Sequence, residues 1–108
     1  MHTKRRELYS MMTVDQVKSL VAEVLELPVY EWRKGKGNDA ITNARYIAYL
    51  IMIEEGIKPS EALAAIDLSR FMKGRVNDEV NGRLKVRKDF KEAYLKCIAR
   101  IAEQEIAE

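Results

Sequence analysis

Cysteine, histidine, tryptophan and proline are all scarce in this sequence: one, one, one and two in 108 residues. The lone Cys97 excludes an internal disulfide and fits a reducing compartment. The lone His2 leaves no second histidine and no Cys–His pairing, so the usual metal-ligand and nucleophile–base constellations are missing. Carboxylates are plentiful, but none is forced onto an apolar face that would raise its pKa for acid–base work. The expectation is a protein that is not an enzyme and uses no cofactor and no metal. Long apolar runs are also missing. The longest, Tyr46 to Ile53, is eight residues, against ~20 needed to cross a bilayer. Leu8 to Thr13, after the basic start, lacks the apolar core of a secretory signal. These absences predict a cytoplasmic protein without a membrane partner.

What is present is 47% apolar and 33% charged residues, a globular balance sufficient for one domain with its own core. Two prolines, five glycines and few β-branched clusters point to helices throughout. The stretch Asp39 to Ile66 is the organising one. Ile41, Ala44, Ile47, Ala48 and Ile51 recur at helical spacing, and a helix apolar nearly all round must be covered on most sides. Gly56 stands where a left-handed C-terminal cap belongs, and Pro59 stops the helix from resuming. Ser60 is expected to cap a second, short helix ending near Ile66. A buried helix, a tight break and a short helix are the parts of a helix-turn-helix domain.

Met1 to Met12 holds His2, Lys4, Arg5 and Arg6 without periodicity and reads as a flexible basic leader, with 13–108 as a single helical domain. Thr13 and Gln16 form a capping box that opens a helix striped by Val14, Val17, Val21 and Val24, with Leu20 and Leu25 alongside, and closed by Pro28. Val29 to Trp32 suggests a short helical turn, with Trp32 plugging the core edge while its N–H finds a carbonyl. Arg33 to Asn38 is a basic glycine-rich loop running into a helix at Asp39. It lacks the G-x-x-x-x-G-K-[ST] phosphate-binding pattern and a preceding strand. After a turn at Asp67 to Ser69, Val76, Val80 and Leu84 stripe one face of a further helix. Gly74 and Gly82 weaken that helix by ~1 kcal/mol each relative to alanine. Lys88 to Ala107 predicts a closing helix with Phe90, Tyr94, Cys97, Ile98 and Ile101 facing inward and an acidic tail (Glu103, Glu105, Glu108).

The net charge of +2 conceals segregation. Residues 69–91 hold eight basic side chains against three acidic, and residues 33–45 hold four against one. Two basic blocks in an otherwise acidic chain match the footprint of a polyanion.

These residues resemble the C-terminal DNA-binding domain (domain IV) of the bacterial replication initiator DnaA, in the Trp-repressor-like helix-turn-helix superfamily. Ala44-Arg45-Tyr46-Ile47-Ala48-Tyr49-Leu50 is similar to the family's A-R-x-x-A-x-x-L helix. Ser60 opens the next helix, and Lys88-Asp89-Phe90 resembles the start of the closing one. The likeness runs from about Thr13 to Ile101. The family's recognition signature, approximately G-R-D-H-[ST]-T-V, is overlaid by Ser69 to Val76, SRFMKGRV. Val76 matches, Lys73 takes the place of the base-contacting histidine, and Gly74 and Arg75 lie over the two hydroxyl residues. Phe71 replaces the arginine, with Arg70 one place short. The glycine after the first short helix is replaced near Ala65, and the family's ATPase domain is expected to be absent.

The resemblance implies an all-α, compact bundle of about five to six helices containing a helix-turn-helix that binds double-stranded DNA, as a stand-alone regulator of replication or transcription. The helix after Leu68 is then expected in the major groove, presenting Arg70, Lys73, Arg75 and Asn77, since arginine suits guanine and asparagine adenine. The start of the Ser60 helix would hold a phosphate, and Lys34 and Lys36 would meet the minor groove or backbone. Arg45, Lys58 and Arg83 complete the DNA-facing set. The alternative is a helical adaptor that keeps this shape and binds a protein through exposed Phe71 and Met72. The chain is expected to be a monomer or weak dimer.

Overall fold

The computed structural model describes residues 12–33 and 38–107, the last three by their backbone alone. Among these residues five α-helices follow in order: α1 Val14–Leu25, α2 Asp39–Glu54, α3 Pro59–Ala65, α4 Lys73–Val86 and α5 Lys88–Ala107. Single turns of 3-10 helix at Val29–Glu31 and Arg70–Met72 precede α2 and α4. Among the described residues there is no strand. The chain is an all-α bundle, as its periodicity predicts.

α2 lies at the centre and packs on α1, α3, α4 and α5. Ile41, Ala44, Ile47, Ala48, Tyr49, Ile51 and Met52 are buried on it, which is why its sequence is apolar nearly all round. The neighbours contribute Val17, Leu20 and Val21 from α1, Ala62 and Leu63 from α3, Val76 and Val80 from α4, and Phe90, Cys97 and Ile101 from α5. Cys97 is fully buried in this core, and burial pushes its thiol up to about 11.

The ends of α1, α2 and α3 share one device. In each, a left-handed residue follows the last turn and the next residue is a hydrophobe that folds back on the core: Glu26 then Leu27, Gly56 then Ile57, Asp67 then Leu68. The N–H groups of Leu27, Ile57 and Leu68 donate to the carbonyls of Ala22, Met52 and Leu63 at 2.9, 3.0 and 2.8 Å. That pattern satisfies carbonyls the helix would otherwise leave bare. Gly56, with φ of 90°, is the cap its composition predicts. Glu26 and Asp67 adopt φ of 55° and 61° without being glycine, at a cost of roughly 1–2 kcal/mol each. Packing of Leu27 and Leu68 against the core offsets it. Asp67 thus supplies the sharp turn between α3 and α4 for which the sequence has no glycine.

The N-termini are capped locally. Thr13 Oγ1 accepts from the Gln16 N–H at 3.2 Å while Gln16 Oε1 accepts from the Thr13 N–H at 2.9 Å, the expected capping box. Asn38 Oδ1 accepts from the Ala40 and Ile41 N–H groups and opens α2. Ser60 does not cap α3. The helix begins one residue earlier at Pro59, with Lys58 at the cap position, because a proline in the first turn gives up only an N–H that has no helical acceptor.

Candidate nucleic-acid interface

α3, the turn centred on Asp67, and α4 form a helix, a turn and a helix. α3 packs on both the Arg70–Met72 turn and α4. Ser69 sets the approach to α4: its Oγ accepts from the Phe71 N–H at 3.1 Å and its carbonyl from the Met72 N–H at 2.9 Å. Met72 is half-buried against the core, which corrects the expectation that it is exposed beside Phe71. With Met72 turned inward, Arg70 and Phe71 are turned outward, and Phe71 is 85% exposed. Leaving that ring in water forgoes roughly 1.5–3 kcal/mol of burial.

Val76 and Val80 face the core with Leu84 beside them. The opposite face of α4 presents Gly74, Arg75, Asp78, Asn81, Gly82 and Lys85 to solvent. A Cβ built at either glycine meets nothing within 4 Å, so neither is required by packing within the chain. Asn81 and Lys85 are outward residues that the charge pattern had not singled out. The 100° step of the helix, taken from the Val76–Val80 stripe, would have found them.

The ten expected contact residues separate into three groups. Arg70, Lys73 and Arg75 are exposed around the start of α4, and Lys58 and Ser60 are exposed at the start of α3. Among the described residues, none of the four cations pairs with a carboxylate. The second group turns inward. The Arg45 guanidinium donates twice to the Ile66 carbonyl, from Nε at 3.1 Å and from Nη2, closing the end of α3 onto α2. Asn77 Oδ1 accepts from the Tyr49 hydroxyl at 2.8 Å. Arg83 donates to Asn43 and Asp39 and lies 5.2 Å from the centre of the Tyr46 ring. These three side chains join helices and are not free for a major groove. The third group, Lys34 and Lys36, lies outside the described residues, as do residues 1–11 and the side chains of Glu105 and Glu108.

Arg83 belongs to a polar junction at the other end of α4. Arg87, extended between α4 and α5, donates to Asp39 at the start of α2 and to Asp89 at the start of α5. Asn43, buried on α2, donates to Asp89 and accepts from Arg83. The hydrogen bonds from Arg87 hold Asp39 down to about 2 and lower Asp89, and the same contacts raise Arg87. The junction is therefore charged across the ordinary pH range, and its cations are neutralised within the chain. A shallow cleft lined by Lys18, Trp32, Arg33, Arg45 and Asp67 is similarly occupied, since Arg33 pairs with Asp67 at 2.9 Å. The Trp32 N–H donates to the Leu27 carbonyl at 3.0 Å, the core role expected of it.

No protein-family model, no curated protein and no solved structure matches the chain. Geometry and charge therefore carry the functional assignment. α1, α2, α3 and α5 each carry an acid in the first turn, namely Asp15, Asp39, Glu61 and Asp89. α4 has none; it begins with Lys73 and Arg75, and Arg70 lies just before it. Cations at the positive end of a helix are unfavourable within the chain. An anion placed there reverses the sign. Among the described residues no helix is long and apolar enough to cross a membrane, and no three of His, Cys, Asp or Glu converge as metal ligands.

Proposed function

We propose that this chain is a double-stranded DNA-binding domain that presents the first turns of α4 to the major groove, in the manner of the initiator domain its sequence resembles. The observation that carries the reading is the cluster of Arg70, Lys73 and Arg75. It is exposed, unpaired with any carboxylate among the described residues, and set at a helix start with no acid in its first turn. The N-terminal residues of a second helix are those that reach base edges when a helix-turn-helix docks. The outward face of α4 adds Asn81 and Lys85 to that surface, and Lys58 extends it onto α3. Arg45, Asn77 and Arg83 hold the bundle behind it. The role this reading gives the domain is that of a regulator of replication or transcription.

The test is selection of duplexes from a randomised pool, followed by affinity measurement at two salt concentrations. Lys58, Lys73 and Arg75 as three phosphate contacts lower affinity about 40-fold between ~50 and ~200 mM salt. Lys73→Ala with Arg75→Ala removes two of them and weakens binding by ~60-fold at ~0.1 M salt, while circular dichroism and melting stay as in the wild type. Retained affinity in the folded double variant sinks this reading. Phe71 supports a second one, a protein-binding adaptor, because a large ring 85% exposed is the usual anchor of a protein interface. That reading predicts DNA binding without sequence preference, abolished by moderate salt.

A further inference from the structure

We propose that Arg70 and Phe71 act as one unit that reads an adjacent thymine and guanine, with Phe71 against the thymine 5-methyl group and Arg70 bidentate on guanine N7 and O6. The assignment rests on the duplex-binding reading above and gives it a base preference.

The centre of the Arg70 guanidinium lies over the Phe71 ring, 5.1 Å from its centroid. A guanidinium over an aromatic ring is attracted by the negative face of the ring, and such a contact leaves its N–H donors free for another partner. Among the described residues no carboxylate takes those donors. A flat arginine edge matches the two acceptors that only guanine presents side by side in the major groove. Among the described residues the ring beneath it is the one large exposed apolar side chain at that end of the helix, and the apolar feature of the major groove is the thymine methyl. The other large exposed apolar side chains among the described residues, Tyr30, Val86 and Leu95, belong to the Val29–Glu31 turn, the far end of α4 and α5. Among the described residues Phe71 is thus an isolated ring among cations rather than part of an apolar patch, which suits a polyanion better than a protein.

The pair is also preorganised. Ser69 holds the Phe71 N–H, Met72 anchors the turn in the core, and the Lys73 N–H donates to the Arg70 carbonyl. The backbone carrying both side chains is thereby fixed before any ligand arrives, which lowers the ordering cost of binding.

The experiment selects duplexes with the wild-type chain, Arg70→Ala and Phe71→Ala. The winning wild-type duplex is then remade with 7-deazaguanine for the guanine or uracil for the thymine. The wild type is expected to enrich a motif with adjacent thymine and guanine. Arg70→Ala loses the preference for guanine alone, whereas Phe71→Ala loses the preference for thymine and, with the ring no longer beneath Arg70, weakens that for guanine as well. Removing guanine N7 weakens the wild type about tenfold, and removing the thymine methyl about fourfold. Each replacement leaves the matching variant unaffected. Both side chains are solvent-facing, so both variants fold. A motif that both variants retain in full leaves duplex binding standing, overturns this assignment and returns Phe71 to a protein contact. A motif lacking the pair of bases overturns it equally. If the wild type enriches nothing, the duplex reading falls and this assignment falls with it.

Discussion

Replacing Gly82 by alanine is expected to stabilise the protein, and the structure sets how much. Gly82 lies well inside α4, its helical backbone suits any L residue, and an added Cβ meets nothing within 4 Å. The change therefore creates no contact and no clash; it removes only the entropic penalty of glycine, worth ~0.8–1 kcal/mol in a helix interior. Gly74 sits at the second position of the same helix, where ends fray and propensity counts for less, so Gly74→Ala gains about half as much. In a domain of this size ~1 kcal/mol raises the melting temperature by about 4 °C. Urea titration reads the same gain as a higher midpoint with unchanged slope. Gly56→Ala is the internal control. Its φ of 90° lies outside the range an L side chain prefers, so it loses roughly 1–2 kcal/mol. Opposite signs for Gly82 and Gly56 confirm the helical and left-handed assignments together. A fall in stability at Gly82 refutes the reasoning, because it requires something packed against that face in solution.

Arg45→Ala leaves the Ile66 carbonyl without its donor and is expected to destabilise the fold by ~1–3 kcal/mol, read by urea denaturation. Loss of DNA affinity with unchanged stability would instead restore Arg45 to the interface. The junction at Asp39 predicts an acid dependence. Its carboxyl is depressed to about 2 from an ordinary 3.8, so its contribution is complete above pH 4 and disappears as pH falls towards 2. Asp39→Asn therefore flattens the melting-temperature profile across that window, by a modest amount because the pair is solvent-exposed and screened. Cys97, buried with its thiol raised to about 11, is expected to resist alkylation at pH 8 in the native state. It reacts on addition of denaturant, which thiol titration follows directly.

Much of the architecture follows from the order of residues, since helices announce themselves locally. The apolar spacing through Ile41 to Ile51, the Thr13–Gln16 capping box, the Gly56 stop and the Val76–Val80 stripe all depend on residues within a few positions of one another. All appear in the structure as read. Cys97 and Trp32 belong to the core for the same reason. The left-handed conformation of Glu26 and Asp67 was not readable, because glutamate is a poor residue for it and aspartate, though more tolerant, reads only as part of a turn. Both residues are held in it by Leu27 and Leu68 reaching a core assembled from distant segments. Ser60 failed as a cap because the preceding proline is the better helix starter.

What the chain determined by itself is therefore its helices, the face each buries and the presence of an excess of positive charge in two blocks. Which of those charges are available was decided only in three dimensions. Arg83 and Arg87 belong to the same basic stretch as Arg70, Lys73 and Arg75, and Arg45 to the other. They differ in having acceptors brought beside them by folding: the Ile66 carbonyl, Asn43, Asp39 and Asp89. Those partners lie 21 residues away for Arg45, 40 and 44 for Arg83, and 48 for the Arg87–Asp39 pair, and no helical period encodes such distances. A cation with a partner of that kind braces the bundle. One without, at the start of α4, stays exposed to solvent.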